Sequence, residues 1–146
     1  MGLRMNASIG KGTRVLVVDD DEDMRQIITD RLEQAGFAVV QACDGLRALL
    51  EMRQRHFHVV VTDYQMPHLN GLALLRQCRL AWPGTPVIIM SACLDAPGEI
   101  AAARDAFSYL QKPFDADRLI ALVCQAAHLS EIVAPPSSGS GSNTDG

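Results

Sequence analysis

Between residues 13 and 129 the apolar positions alternate between two patterns. Short continuous runs such as Val15-Leu16-Val17-Val18 end abruptly in polar residues, as strands buried on both faces do. Longer segments repeat apolar residues at spacings of three and four. The first, with Met24, Ile27, Ile28, Leu32 and Ala35, predicts a helix over about 21–35 that Gly36 stops. Continued along the chain, the pattern predicts strands at 15–18, 37–42, 59–62, 86–90 and 107–110. It predicts further helices at about 46–55, 72–81, 99–104 and 115–129, the 99–104 segment being the weakest.

Five strand and helix units in strict alternation imply parallel pairing through right-handed crossovers. The expected fold is α/β, a doubly wound five-stranded parallel sheet with helices on both faces. Ligands of such sheets bind beyond the carboxyl ends of the strands. The ends of the chain lack the pattern. Residues 1–12 are expected to be unstructured, 13–130 to form the domain, and 131–146, rich in Pro, Gly and Ser, to form a flexible tail.

Composition narrows the picture. The 146 residues suit one domain, and 13 basic against 17 acidic side chains give a net charge of −4, which argues against direct DNA binding. No apolar run is long enough for a membrane span and the N-terminus has no signal-peptide core, so a cytoplasmic protein is expected. Cys43, Cys78, Cys93 and Cys124 form no CxxC pair and are expected to be reduced, mostly core residues. The histidines, His56, His58, His68 and His128, have no metal-ligand spacing. Gly10-Lys11-Gly12-Thr13 lacks the first glycine of a phosphate-binding loop and precedes a strand instead of following one.

The residues that follow the expected strands form one chemical set. They are Asp19, Asp20, Asp21, Glu22 and Asp23 after the first strand, Asp63 after the third, Ser91 after the fourth and Lys112 after the fifth. Carboxylates gathered at one sheet edge repel one another unless a hard cation lies among them, and oxygen ligands suit Mg²⁺. With a hydroxyl and an ammonium opposite, such a site can handle a phosphoryl group through attack by a carboxylate. For Asp21, Glu22 and Asp23 a purely structural explanation is available, since acids at a helix N-terminus are favoured by its dipole. Lys112 is one of only two lysines beside eleven arginines, and a compact ammonium suits a single phosphoryl oxygen.

With Asp19-Asp20, Asp63 in VTDYQMPHLNG, Ser91 in VIIMSA and Lys112-Pro113-Phe114 in place, residues 13–129 resemble a response-regulator receiver domain of two-component signalling, of the single-domain chemotaxis-regulator kind. The resemblance implies the flavodoxin-like (βα)₅ fold with strand order 2-1-3-4-5. It implies Asp63 as phosphoacceptor, and Asp20, Asp19, Asp63 and the Gln65 carbonyl as Mg²⁺ ligands. Ser91 would bond the phosphoryl oxygen, Lys112 would supply the ammonium, and Tyr109 with Ser91 would form the switch. Gln65 and Cys93 occupy positions that influence phosphoryl lifetime, and the bond before Pro113 is typically cis in the family. The implied partners are a histidine kinase or phosphotransfer protein, and an output protein at the face of helix 4, strand 5 and helix 5. Such a protein is a signalling phosphoacceptor, with at most slow self-catalysed phosphorylation and dephosphorylation.

Some positions depart from the family pattern. Asn70 stands where Asp is common before Gly71, Asp105 stands where glycine is usual, and the stretch 93–99 is short, which bears on the fourth helix and the output face. Two other functions fit parts of the sequence. One is a phosphate-independent interaction module with the same fold. The other is a haloacid-dehalogenase-like phosphohydrolase with Asp19 as nucleophile, disfavoured because Asp23 breaks its opening motif and no late acid pair follows. Without an effector domain, a single-domain regulator or phosphorelay shuttle is expected.

Overall fold

A computed structural model describes residues 12–92 and 104–133, the side chains of 131–133 excepted. The chain alternates β1 (Arg14–Val18), α1 (Glu22–Gln34), β2 (Ala38–Ala42), α2 (Gly45–Gln54), β3 (Val59–Asp63), α3 (Gly71–Ala81), β4 (Val87–Ser91), β5 (Ser108–Gln111) and α4 (Ala116–Val133). The strands form one sheet in the order β2-β1-β3-β4-β5, and every pairing is parallel.

Alternate residues of each strand serve opposite faces, as the pleat requires. Val15 and Val17 join Ile28 and Leu32 of α1 and Leu119, Val123, Ala126 and Ala127 of α4 in one core. Leu16 and Val18 join Ala48 and Met52 of α2 and Leu74, Leu75 and Cys78 of α3 in the other. Only strands buried on both faces need be apolar at every position, and β3 and β4 are fully buried along their lengths. The outer strands β2 and β5 are partly open.

Local chemistry sets the helix ends. The Asp21 carboxylate accepts the Asp23 and Met24 amides and caps α1, the Asp44 carboxylate accepts the Arg47 amide at α2, and the Asn70 side chain accepts the Ala73 amide at α3. Gly36, at φ +102°, turns the chain out of α1 in the left-handed region that glycine enters freely. Asn70 therefore does the capping work for which Asp is the usual residue. Asp105, where glycine is usual in the family, does not take a positive φ. Among the described residues His68 alone has a positive φ without being glycine, and the Asp105 carbonyl accepts the Arg79 guanidinium at 3.2 Å.

The helix expected at about 99–104 lies outside the described residues apart from its end, where Arg104 is helical. Residues 1–11, Cys93 and 134–146 also lie outside them. Cys78 is buried and its thiol is pushed up to about 12 by that burial, while Cys124 is half-buried. Cys43 departs from the core expectation and is exposed, because it sits past the end of β2 in the loop to α2. No helix among the described residues is long and apolar enough to cross a membrane.

Candidate functional site

Parallel strands bring their carboxyl ends to one edge, and there the structure gathers Asp19, Asp20, Asp63, Ser91 and Lys112. Asp19 continues β1: its amide donates to the Ala42 carbonyl at 3.2 Å, and its side chain is wholly buried. The Asp19 carboxylate accepts the Asp21 amide at 2.9 Å. Asp20 follows on the exposed side. Asp63 ends β3 and is 9% exposed, and its carboxylate accepts the Tyr64 amide at 3.0 Å. Ligand oxygens of Asp19, Asp20 and Asp63 lie within 4.8 Å of one another.

Lys112 reaches into this group from the end of β5. Its amide donates to the Ser91 carbonyl at 2.7 Å, which fixes the stem. Its Nζ lies 3.2 Å from Asp63 Oδ1 and 3.5 Å from Asp19 Oδ2. The Lys112-Pro113 bond is cis. Ser91 ends β4 at 2% exposure. Tyr109 is half-buried on β5, paired with Ile89, while Ser91 pairs with Gln111. Residues two apart on a strand share a face, so Tyr109 and Ser91 lie on the same side of the sheet.

Two carboxylates share one ammonium, and their titration shows the imbalance. Burial pushes the Asp63 carboxyl up to about 6, although Lys112 opposes the rise; the neighbouring Asp19 charge adds to it. Asp19 is also raised by burial, against the Asp21 amide bond and Lys112. Burial pulls the Lys112 ammonium down, but Asp63 and then Asp19 outweigh it and leave Lys112 above 10.5. An oxygen-only set with more negative charge than its own cation neutralises fits a hard divalent cation.

The remaining acids of the run divide cleanly. Asp21 caps α1, and Glu22 and Asp23 occupy its first turn, so the helix-dipole explanation covers these three. Gln65 lies exposed in the loop after β3. Gly71 was seen in the sequence only as a loop residue, yet a Cβ there would lie 2.7 Å from the Asp63 carbonyl oxygen and 2.8 Å from the Tyr64 Cα. Its amide donates to the Tyr64 carbonyl at 2.7 Å, so the start of α3 is seated directly on the backbone of Asp63. Sequence reasoning also passed over Arg25, whose Nη1 donates to the Asp19 carbonyl at 2.7 Å. Its spacing of four from Asp21 is the only local signal.

Fold and site together define a receiver domain. The family model of the response regulator receiver domain matches residues 15–124, and the chain belongs to that family, whose members are phosphorylation switches of two-component signalling. The DNA-binding transcriptional regulator NtrC of Escherichia coli (strain K12) is 38% identical over 123 residues, 83% of this chain and 26% of that protein. The chain thus spans about a quarter of that relative's length. The response regulator receiver domain protein of Clostridium thermocellum superposes with a TM-score of 0.78 at 31% identity, over 83% of this chain and 98% of that one. The response regulator TrrA of Thermotoga maritima, solved in complex with Mg(2+)-BeF, superposes at 0.72 with 25% identity, over 78% and 98%. These matches leave no support for the phosphohydrolase alternative.

Proposed function

We propose that this receiver accepts a phosphoryl group on Asp63 from a histidine kinase or phosphotransfer protein. The observation that carries the proposal is the 3.2 Å contact between Lys112 Nζ and a carboxylate that is 9% exposed at a strand end, beside two further acids. An Asp63 oxygen attacks phosphorus, the bond from phosphorus to the donor's nitrogen breaks with its electron pair, the donor takes up a proton, and an acyl phosphate remains. The Lys112 ammonium and the Ser91 hydroxyl meet the phosphoryl oxygens, and charge placed before reaction is the main source of acceleration in such sites. Asp19, Asp20, Asp63 and the Gln65 carbonyl would hold Mg²⁺, which when bound neutralises phosphoryl oxygens. Ser91 and Tyr109 act as the switch, supported by their common face of the sheet. Gln65 and Cys93 tune phosphoryl lifetime.

On this reading the protein is a cytoplasmic signalling phosphoacceptor and not a turnover enzyme. It acts on a protein partner through the face formed by the helix expected at about 99–104, β5 and α4, without binding DNA itself. The test is acetyl phosphate with Mg²⁺, followed by borohydride trapping and mass spectrometry. Modification at Asp63, absent from Asp63→Asn, is expected. Modification at Asp19, or none, overturns the assignment. Beryllofluoride with Mg²⁺ should shift resonances of Asp63, Ser91 and Tyr109 in wild type only. A partner that binds Asp63→Ala as well as wild type would point to phosphate-independent interaction instead.

A further inference from the structure

We infer that Arg25 is a positioning residue for the acid cluster, acting through the Asp19-Asp20 peptide. Its guanidinium forks between two neutral acceptors. Nη1 donates to the Asp19 main-chain carbonyl at 2.7 Å, and Nε donates to the Gln41 side-chain oxygen at 2.9 Å. One half-buried side chain on α1 thereby ties the exit of β1 to the edge strand β2. The choice of partners is informative. Arg25 stands next to the run Asp19–Asp23, yet it is in none of the ion pairs among the described residues and spends its donors on a carbonyl and an amide. A planar fork is suited to fixing direction as well as supplying charge.

The peptide it holds is the one that aims Asp20. The carboxylate of Asp19 is fixed independently, by the Asp21 amide at 2.9 Å and by Lys112. The Asp20 carboxylate has no such bond among the described residues, so its place within 4.8 Å of Asp19 and Asp63 depends on its backbone. Rotating the Asp19-Asp20 peptide swings that carboxylate out of the cluster. Gln41 carries the brace outward, its Nε2 donating to Gln26 Oε1 at 3.4 Å.

The inference rests on the proposed Mg²⁺ site, and its test has a sign that separates it from a simple charge effect. Deleting a cation near a dication site should tighten Mg²⁺ by removing repulsion. Losing a positioning group should weaken it, by about tenfold or more when the group orients a ligand. Calorimetric titration of Mg²⁺ into the metal-free protein reads this directly. Arg25→Ala is expected to bind about tenfold more weakly. Arg25→Lys keeps the charge but not the fork and is expected to be weaker than wild type too. Gln41→Ala, which frees one arm, should lose less in the same direction, and Gln26→Ala should match wild type. Affinity equal to or tighter than wild type in Arg25→Ala, or wild-type affinity in Arg25→Lys, overturns the inference. Melting in chelator identifies any variant that fails to fold, and Gln41→Ala then decides the matter by its direction. If wild type binds no Mg²⁺, the functional proposal itself fails, a distinguishable result.

Discussion

Replacing Asp63 by asparagine should stabilise the metal-free protein at neutral pH while abolishing its reactivity. The carboxyl rises from an ordinary 3.8 to about 6, chiefly through burial. At about 1.4 kcal/mol for each tenfold change in proton affinity, this corresponds to about 3 kcal/mol held against the ionised form. That cost is already net of the Lys112 attraction, and asparagine removes it while Lys112 keeps Asp19 at 3.5 Å. A net gain of about 1–3 kcal/mol remains. The sign with pH follows from the raised folded value. The unfolded state ionises first as pH rises, so this group costs nothing below about pH 4, costs progressively more up to about pH 6, and costs a constant amount above. Urea unfolding of wild type and Asp63→Asn in chelator, compared across that range, isolates the effect because acids that do not face Asp63 cancel in the difference. The gap should open between about pH 4 and pH 6 and shrink when Mg²⁺ is added, since a ligand of the native state stabilises wild type. Asp63→Asn no more stable than wild type at neutral pH, or a gap independent of pH, would refute the argument.

Other substitutions probe the same edge of the sheet. Lys112→Ala should raise the Asp63 carboxyl still further, because the ammonium is the main influence holding it down; carbon-detected NMR titration reads the change. Gly71→Ala should destabilise by about 1–3 kcal/mol in urea melts, since its Cβ would meet backbone atoms of Asp63 and Tyr64 that cannot swing away. Gly84→Ala, with nothing within 4 Å of the added carbon, is the matched control and should stay within about 0.5 kcal/mol of wild type. Asp21→Ala removes the cap of α1 and should cost about 1 kcal/mol by the same assay.

The parts of this molecule that were legible in the sequence are those whose chemistry is enforced by burial. A strand covered on both faces must be apolar throughout, so β1, β3 and β4 stand out as runs, and an acid directly after such a run is conspicuous. Asp19 and Asp63 were readable for that reason, and Lys112 because lysine is scarce in this chain. Boundaries were less readable. The last helix runs to Val133 rather than 129, because Leu129, which looks like the end of the apolar pattern, is exposed, while the polar Ser130 beyond it is buried. Asp21, Glu22 and Asp23 were ambiguous since capping and ligation both select acids. Arg25 was invisible: an arginine on the polar stripe of an amphipathic helix looks like any solvated charge, and only the fold brings the Asp19 carbonyl and Gln41 within its reach.

The site also constrains where a charge placed on Asp63 can be felt. Asp19 and Asp63 lie in a low-dielectric setting where an added charge acts strongly on its neighbours. The strands that carry them cannot give way, because β3 is buried along its whole length, β1 at every position after Arg14, and close-packed cores yield little. Movement is cheapest at the margin of the sheet. On that side β5 is the edge strand, Tyr109 on it is half-buried, and it shares a sheet face with Ser91, the hydroxyl nearest along β4 to the acid cluster. On the proposed reading, a phosphoryl group that draws Ser91 toward Asp63 opens space on the sheet face that Ser91 shares with half-buried Tyr109. The proposed switch path, from Asp63 through Ser91 to Tyr109, thus follows the direction of least packing resistance out of a rigid sheet.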